Sequence, residues 1–531
     1  MAKEPDSSTK TVAVIDFGSN SVRMVVAQVP AKGPVEVLER VQRPAQLGHD
    51  TFSTGRLSRP TMNGVLAVLR DYRRIMESYS VQLIRAVATS SVREAANSDA
   101  FLDRLETAIG LDVEVIDTSE ESRLTVSAVL DSLGRSTDIR NQDTLIVEMG
   151  GGSALLTILH RGKITGSESY RMGAIRLQEA LPTAHETPRR AADMLSHQIE
   201  TMVNGIARLH HLKKITALVA IGGDARFAAH HVGKNVAGRK DLWAVSRKDL
   251  AGLIERCASH STEELSRLHG LPFTDAQTLT PALLGYCALL KATQARKMIV
   301  SPVSMRDGLI MDVARILHGQ QDLNLNESIL ASARSLGEKY NYDAAHAKHV
   351  VELSLALFDA LRGEHGLTAH HRLLLEVAGI LHEVGGFVSN RSHHKHSFYL
   401  INNSVIYGLR RDDVTLVAHI ARYHRRSIPR STHLEYVALS RENRMVINKL
   451  AALLRVADAL DRGHSQQVRD IQIERQGEEV IVYVPGVSDL ALERQALSAK
   501  GDLFEETYGL TIRLEEAGAP TAPARRAEAM E

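Results

Sequence analysis

Thr144–His160 reads TLIVEMGGGSALLTILH, an apolar run, an acid, three glycines and a serine, then a second apolar run. Runs of this length broken by a glycine-rich turn predict a strand, a tight turn and a second strand. The same pattern stands at Thr11–Val29, TVAVIDFGSNSVRMVVAQV. Setting Asp16 on Glu148 brings Gly18 onto Gly150 and Ser21 onto Ser153. Two matched hairpins about one small domain apart are an internal repeat. Helical periodicity at Thr61–Tyr79, Ala95–Ile109 and Glu120–Leu130 alternates with strand-like Ile84–Ala88 and Val113–Ile116 in between, and Ala217–Ile221 is a further buried strand. Alternation of this kind predicts an α/β architecture, here two such domains facing one another across a cleft.

The two turns carry the chemistry. DFGSNS and EMGGGS each place a carboxylate before a run of small residues whose successive N–H groups can form an anion-binding concavity. Two carboxylates beside a phosphate repel it unless a cation lies between them, and Mg²⁺ takes few protein carboxylates and completes its shell with water and phosphate oxygens. Ala86–Asn97, AVATSSVREAAN, puts Arg93 at a strand-to-helix junction, where an anion can be held. Ile116–Leu124, IDTSEESRL, puts Glu120 and Glu121 at another such junction. They point in different directions, so one can face the cleft, and a first-turn acid is also favoured by the helix dipole alone. AIGGDARFAA, Ala220–Ala229, is a third glycine turn and is expected to be structural.

The 531 residues are too many for one core. A formal net charge of +1 predicts no nucleic-acid or membrane partner, and an anionic ligand would need a local basic patch. Two cysteines, Cys257 and Cys287, support neither a disulfide framework nor a zinc-thiolate site. MAKEPDSSTK has no apolar segment and reads as no signal peptide, so the expectation is a cytoplasmic protein. Beyond a polar stretch near Gln320 come amphipathic helices at Ala344–Leu361, His371–His382, Asp413–His424 and Asn443–Leu460. Thirteen of the 24 histidines lie between His346 and His464, and Lys395, Arg410, Arg411, Arg422, Arg425, Arg426 and Arg430 cluster there too. Such a patch could line a channel holding a long anion, or be a solvated helical face. After Gln466 follow a strand-like IQIERQGEEVIVYVP, a helix over Asp489–Phe504 and the strand-like LTIRLEE.

The set VIDFGSNSVRMVVAQV, ATSSVREAAN, EESRL, IVEMGGGSALL, SYRMGAIRL and SMRDGL resembles the exopolyphosphatase / guanosine pentaphosphate phosphohydrolase family, and LHEVG, HHKHSFYLINNS and IARYHRRSI extend the likeness into the back half. The resemblance implies a duplicated ribonuclease H-like fold of the actin, Hsp70 and sugar kinase superfamily. It implies actin-like α/β domains at 1–134 and 135–318, an all-α HD-like domain at 319–465, a small α+β unit at 466–517 and a disordered tail at 518–531. The activity implied is hydrolysis of a terminal phosphate from inorganic polyphosphate or, alternatively, from pppGpp, with Mg²⁺ or Mn²⁺, in a homodimer. By the same resemblance Glu121 matches the catalytic base, and Asp16 and Glu148 the metal-associated acids. Ser19, Asn20 and Ser21 match the first phosphate loop, Gly150, Gly151, Gly152 and Ser153 the second, and Arg93 the phosphate-binding arginine. His346, His382, Glu383 and Asp458 resemble the HD ligand set, with Glu383 in place of Asp, and His396 and His424 could add ligands. The family's second turn is typically DIGGGS; here it is EMGGGS, one methylene longer. Either Glu148 holds metal from a shifted position, or the chain is a weakened binder or sensor of polyphosphate or (p)ppGpp. A kinase is disfavoured by Glu121-Ser122-Arg123 and by Asp224 in the third turn.

Overall fold

The computed structural model describes residues 9–134, 141–181, 186–319, 323–425, 427–487 and 489–517. The N-terminal eight residues, Arg426 and the tail at 518–531 lie outside them. The chain divides into two compact units, Met1–Asn324 and Leu325–Glu531.

The first unit is built on two sheets. One has the order β3-β2-β1-β4-β5, with β1 Lys10–Phe17, β2 Ser21–Val29, β3 Glu36–Pro44, β4 Leu83–Ala88 and β5 Val113–Val115. The other has the order β10-β11-β12-β9-β6-β7-β8, with β6 Thr144–Met149, β7 Ala154–His160, β8 Lys163–Tyr170, β9 Ala217–Ile221, β10 Lys234–Val236, β11 Arg239–Ser246 and β12 Lys297–Val300. In each, an antiparallel meander (β1-β2-β3, β6-β7-β8) continues into parallel strands on the other side of its first member. The repeat seen in the two hairpins therefore extends to whole sheets. It extends to register as well: Asp16 pairs with Arg23 and Glu148 with Leu155, and the turns close by N–H donation from Gly18 to Ser21 O (3.1 Å) and from Gly150 to Ser153 O (2.9 Å).

Strands β1 and β2 are buried on both faces, as apolar strands without alternation require. Ala13, Ile15 and Phe17 pack under Leu66, Tyr72 and Phe101. Val12 and Val14 pack on the other side with Leu124, Leu309 and Val313. Leu309 and Val313 belong to the helix Met305–Leu317. That helix follows the second sheet in sequence yet completes the first lobe's core. It crosses the helix Thr118–Leu133 at Gly308, where any Cβ would collide with the backbone of Leu124.

The second unit is mainly helical. Helices Ala344–Ala360, Ala369–Leu381, His393–Asn402, Arg411–Arg422 and Arg441–Leu460 carry its core, and a three-stranded sheet, β13 Gln472–Gln476, β14 Glu479–Pro485 and β15 Thr511–Ala517, shares it through Val480, Val482 and Leu514. The expected single helix over Asp489–Phe504 is two, Ala491–Lys500 and Asp502–Tyr508, parted at Gly501. Arg455 lies fully buried beneath this junction and donates to the carbonyls of Tyr423 (3.2 Å) and Lys500 (3.0 Å). Among the described residues no helix is long and apolar enough to cross a membrane.

Candidate active site

Both hairpin turns open onto one cleft of about 210 Å³ in the first unit. Asp16, Ser19, Asn20, Glu121, Glu148 and Gly150 to Ser153 all line it. The glycines serve close approach. A Cβ on Gly151 would stand 2.8 Å from that of Ser19, and one on Gly152 would stand 2.7 Å from Ser90 Oγ and would overlap the Phe52 ring. The turns of the two lobes thus touch, and only hydrogen-bearing Cα atoms fit between them. Asn20 adds a crossing bond, donating from Nδ2 to Thr274 O (2.6 Å). Glu94 accepts from Arg176 (2.7 Å), whose guanidinium stacks 4.0 Å over Phe52.

The helix Thr118–Leu133 begins at Asp117, whose carboxylate accepts from the Glu120 N–H (2.9 Å). It settles which adjacent glutamate meets the cleft. Glu120 turns inward to Arg123 (2.7 and 2.8 Å) and Arg85 (3.5 Å), a structural ion cluster. Glu121, with a side chain 20% exposed, faces the cleft. Burial pushes its carboxyl up to about 7; Arg93 opposes this, and the charges of Glu148, Asp16 and Asp117 add to it.

Arg93 and Ser21 are not among the lining residues. Arg93 is drawn aside, donating from Nη1 to Ile116 O (2.5 Å) and standing 3.9 Å from Glu121 Oε2. Ser21 begins β2, and its hydroxyl is buried with no hydrogen-bond partner. The third glycine turn, expected to be structural, also opens onto the cleft: Gly222, Gly223, Asp224, Arg226 and Phe227 line it. Burial pushes the Asp224 carboxyl up to about 6, against a bond from Thr278 Oγ1 (3.2 Å).

Sequence reasoning missed three arginines, Arg23, Arg226 and Arg306. Arg306 donates to Asp16 Oδ2 (2.8 Å), and Arg23 lies 3.9 Å from the same oxygen. Arg23 Nε is buried with no partner. Burial pulls the pKa values of Arg226 and Arg306 down, and the charge of Arg23 pulls further on both. Arg23 was within reach of the sequence, since hairpin register places it opposite Asp16. Arg306 lies within SMRDGL, 290 residues from its partner.

The extra methylene of Glu148 has a visible use. Its Oε2 accepts from Thr125 Oγ1 (3.2 Å), one helical turn beyond Glu121 on the same helix. Burial raises the Glu148 carboxyl, and Asp16 raises it further. The donors fit a hard cation in kind: one carboxylate from each lobe, with Arg306 and Arg23 gathered on Oδ2 of Asp16.

In the second unit, His346, His382, Glu383 and Asp458 also come together, their candidate ligand atoms all within 4.8 Å of one another. His396 does not join them. Of the basic patch, Arg422 meets Glu435 (3.2 Å) and stacks on Phe398, and Arg411 donates to Asn402 O.

A sequence family described as the Ppx/GppA phosphatase family matches residues 25–316, and one described as Ppx/GppA phosphatase, domain III, matches residues 330–506. A guanosine-5'-triphosphate,3'-diphosphate pyrophosphatase of Photobacterium profundum is 24% identical over 473 residues, 86% of this chain and 88% of that protein. An exopolyphosphatase from Cytophaga hutchinsonii, solved as a crystal structure, is 21% identical with a TM-score of 0.51, over 59% of this chain and 99% of that one. A Ppx/GppA family member of Aquifex aeolicus is 24% identical with a TM-score of 0.48, over 59% and 100% respectively.

Proposed function

The chain belongs to the Ppx/GppA phosphatase family, and from that premise we propose that it hydrolyses the terminal phosphate of inorganic polyphosphate, with Glu121 as the general base. The observation that carries the reading is the placing of Glu121. It lies on a helix that starts beside the cleft, turned away from the Glu120 ion cluster, with a carboxyl held near 7. A base poised there can take a proton from water at neutral pH and give it up again. Phosphoryl transfer otherwise asks for positioning and charge neutralisation. The N–H groups of the two glycine turns would hold the terminal phosphate. Arg23, Arg226 and Arg306 would neutralise the phosphates behind it, and Arg93 would steer Glu121. A Mg²⁺ or Mn²⁺ ion between Asp16 and Glu148 would supply charge neutralisation at the phosphate oxygens.

A second reading is favoured by the third turn. Asp224, Phe227, Leu271 and Leu279 give the cleft one acidic and partly apolar side. Such a wall suits a purine better than a bare polyanion, and would make pppGpp the substrate, in line with the name of the Photobacterium relative.

Phosphate release with Mg²⁺ from long-chain polyphosphate and from pppGpp, for wild type, Glu121→Gln and Glu148→Asp, tests both. Release from polyphosphate lost in Glu121→Gln supports the first reading, and release from pppGpp alone supports the second. No release by wild type, restored in Glu148→Asp, would sink both and make the chain a binder.

A further inference from the structure

We propose that Asp224 selects the base of a nucleotide substrate, its carboxylate accepting the N1–H and N2 amine donors of a guanine edge. The assignment rests on the pppGpp reading of the cleft and names the residue that would make it specific for guanine.

A carboxylate is costly in a cleft that takes a polyanion unless a cation or a donor meets it. Asp16 and Glu148 stand beside the two glycine turns, where a cation would lie. Asp224 belongs instead to the third turn, in the first turn of the helix Gly223–Val232, and lines the same cleft. Among the described residues its carboxylate accepts one bond, from Thr278 Oγ1 to Oδ1 (3.2 Å), and none from an N–H of its own helix. It is therefore no helix cap. Arg23 and Arg226 lie near enough for their charges to bear on it, yet among the described residues neither pairs with it. Oδ2 is left free, and Oδ1 keeps a second lone pair. Burial pushes the carboxyl up to about 6, so at neutral pH it is ionised and can only accept.

The surroundings fit a flat base. Phe227 lies three residues on from Asp224, on the same face of the helix, and Leu271 and Leu279 line the cleft with it. Phe227 is clamped: His231 stacks on its ring with 3.8 Å between centroids, and His269 meets it edge-on at 5.0 Å. A wall of this kind holds any base, since every base has an apolar face. Only the edge that meets Asp224 tells one base from another. Guanine offers it two donors, N1–H and N2–H, which the two carboxylate oxygens accept together. Adenine offers a bare N1, whose lone pair the carboxylate repels. Hypoxanthine keeps the N1–H and lacks the amine, and xanthine carries a carbonyl oxygen in the amine's place.

Base wall and phosphate turn are held in fixed relation. β9, which leads into the third turn, pairs with β6, which leads into the second, and Glu148 stands opposite Ile221. The Tyr286 hydroxyl fastens both strand ends, donating to Ile221 O (2.5 Å) and accepting from the Met149 N–H (3.1 Å). Gly222, at φ 109°, leaves that hydroxyl room, since a Cβ would stand 3.3 Å from it.

The test is kcat/KM for phosphate release from pppGpp and from its adenosine, inosine and xanthosine counterparts, for wild type, Asp224→Asn and Phe227→Leu. Thermal melting establishes that each variant is folded. Wild type should favour guanosine over adenosine by about 10–100-fold, with inosine between them. Asp224→Asn should erase that preference and favour xanthosine, because the new amide can donate to the C2 oxygen. Phe227→Leu should raise KM for all four and keep their ranking. An Asp224→Asn protein that loses activity on all four alike would show a structural role and overturn the assignment. Wild type that treats guanosine and adenosine equally would overturn it whatever the variants do, and would leave hydrolysis of pppGpp standing. Release from polyphosphate and from no nucleotide would sink the pppGpp reading and this assignment together.

Discussion

Replacing Gly152 by alanine puts a methyl group where the two lobes meet. The new Cβ would lie 2.7 Å from Ser90 Oγ and overlap the Phe52 ring, whereas ordinary contact begins at 3.4 Å. Ser90 must yield by about 0.7 Å and Phe52 by more. Phe52 is itself held under the Arg176 guanidinium, which also donates to the Gly152 carbonyl (2.7 Å). Overpacking of this size costs about 1–3 kcal/mol, or roughly 2–12 °C in Tm. The catalytic cost is larger. If the turns part by about 1 Å, donors on opposite lobes no longer reach one phosphate, and kcat falls by about a hundredfold. Gly64→Ala is the control. It lies in the helix Arg59–Ser78, where a Cβ meets nothing within 4 Å, and should stabilise by up to about 1 kcal/mol with activity unchanged. The assays are phosphate release at saturating substrate and differential scanning calorimetry. Full activity in Gly152→Ala would refute the claim that contact between the turns sets the reacting geometry.

The pH profile of kcat/KM should rise through about 7, because Glu121 works as the carboxylate and burial holds its carboxyl there. Since its folded value exceeds its unfolded one, Glu121 destabilises the fold progressively between about pH 4.5 and 7 and fully above that; Glu121→Gln should therefore gain in Tm over wild type across that window and be level with it below pH 4. Thr125→Val removes the hydroxyl that holds Glu148 and should cut kcat by about tenfold, roughly 1.4 kcal/mol, with little change in Tm. Arg455→Met strands the buried carbonyls of Tyr423 and Lys500 and should cost the second unit about 3 kcal/mol in urea unfolding.

Much of the first unit could be read in the sequence because its strands are short apolar runs ended by glycine turns. The duplicated hairpins carried the fold, and the strand Ala217–Ile221 stands where it was expected. β3 was not anticipated: Glu36–Pro44 is an edge strand with mostly exposed side chains and no apolar periodicity. Neighbouring glutamates could not be told apart by spacing, since Glu120 is fixed by Arg85, 35 residues away, and by Arg123, itself held by Asp312 from 189 residues away. Arg306 reaches Asp16 only through the packing of Gly308 on Leu124, a contact between helices far apart in the chain. Of the three histidines in HHKH, the sequence singled out His396, by position alone. Helix phase decides for His393 over His396, because Gly385 docks the helix by its first turn.

The return of Met305–Leu317 to the first sheet bears on synthesis. Val12, Val14 and Val25 leave the ribosome well ahead of Leu309 and Val313, which cover them from nearly the other end of the unit. Asp16 and Arg306 are 290 residues apart. At about 5–20 residues per second, the valine face waits roughly 15–60 s for its cover. Throughout that interval the nascent chain presents a sheet with one finished side and one bare one, a standing substrate for chaperones and for pairing with neighbouring chains on the same message.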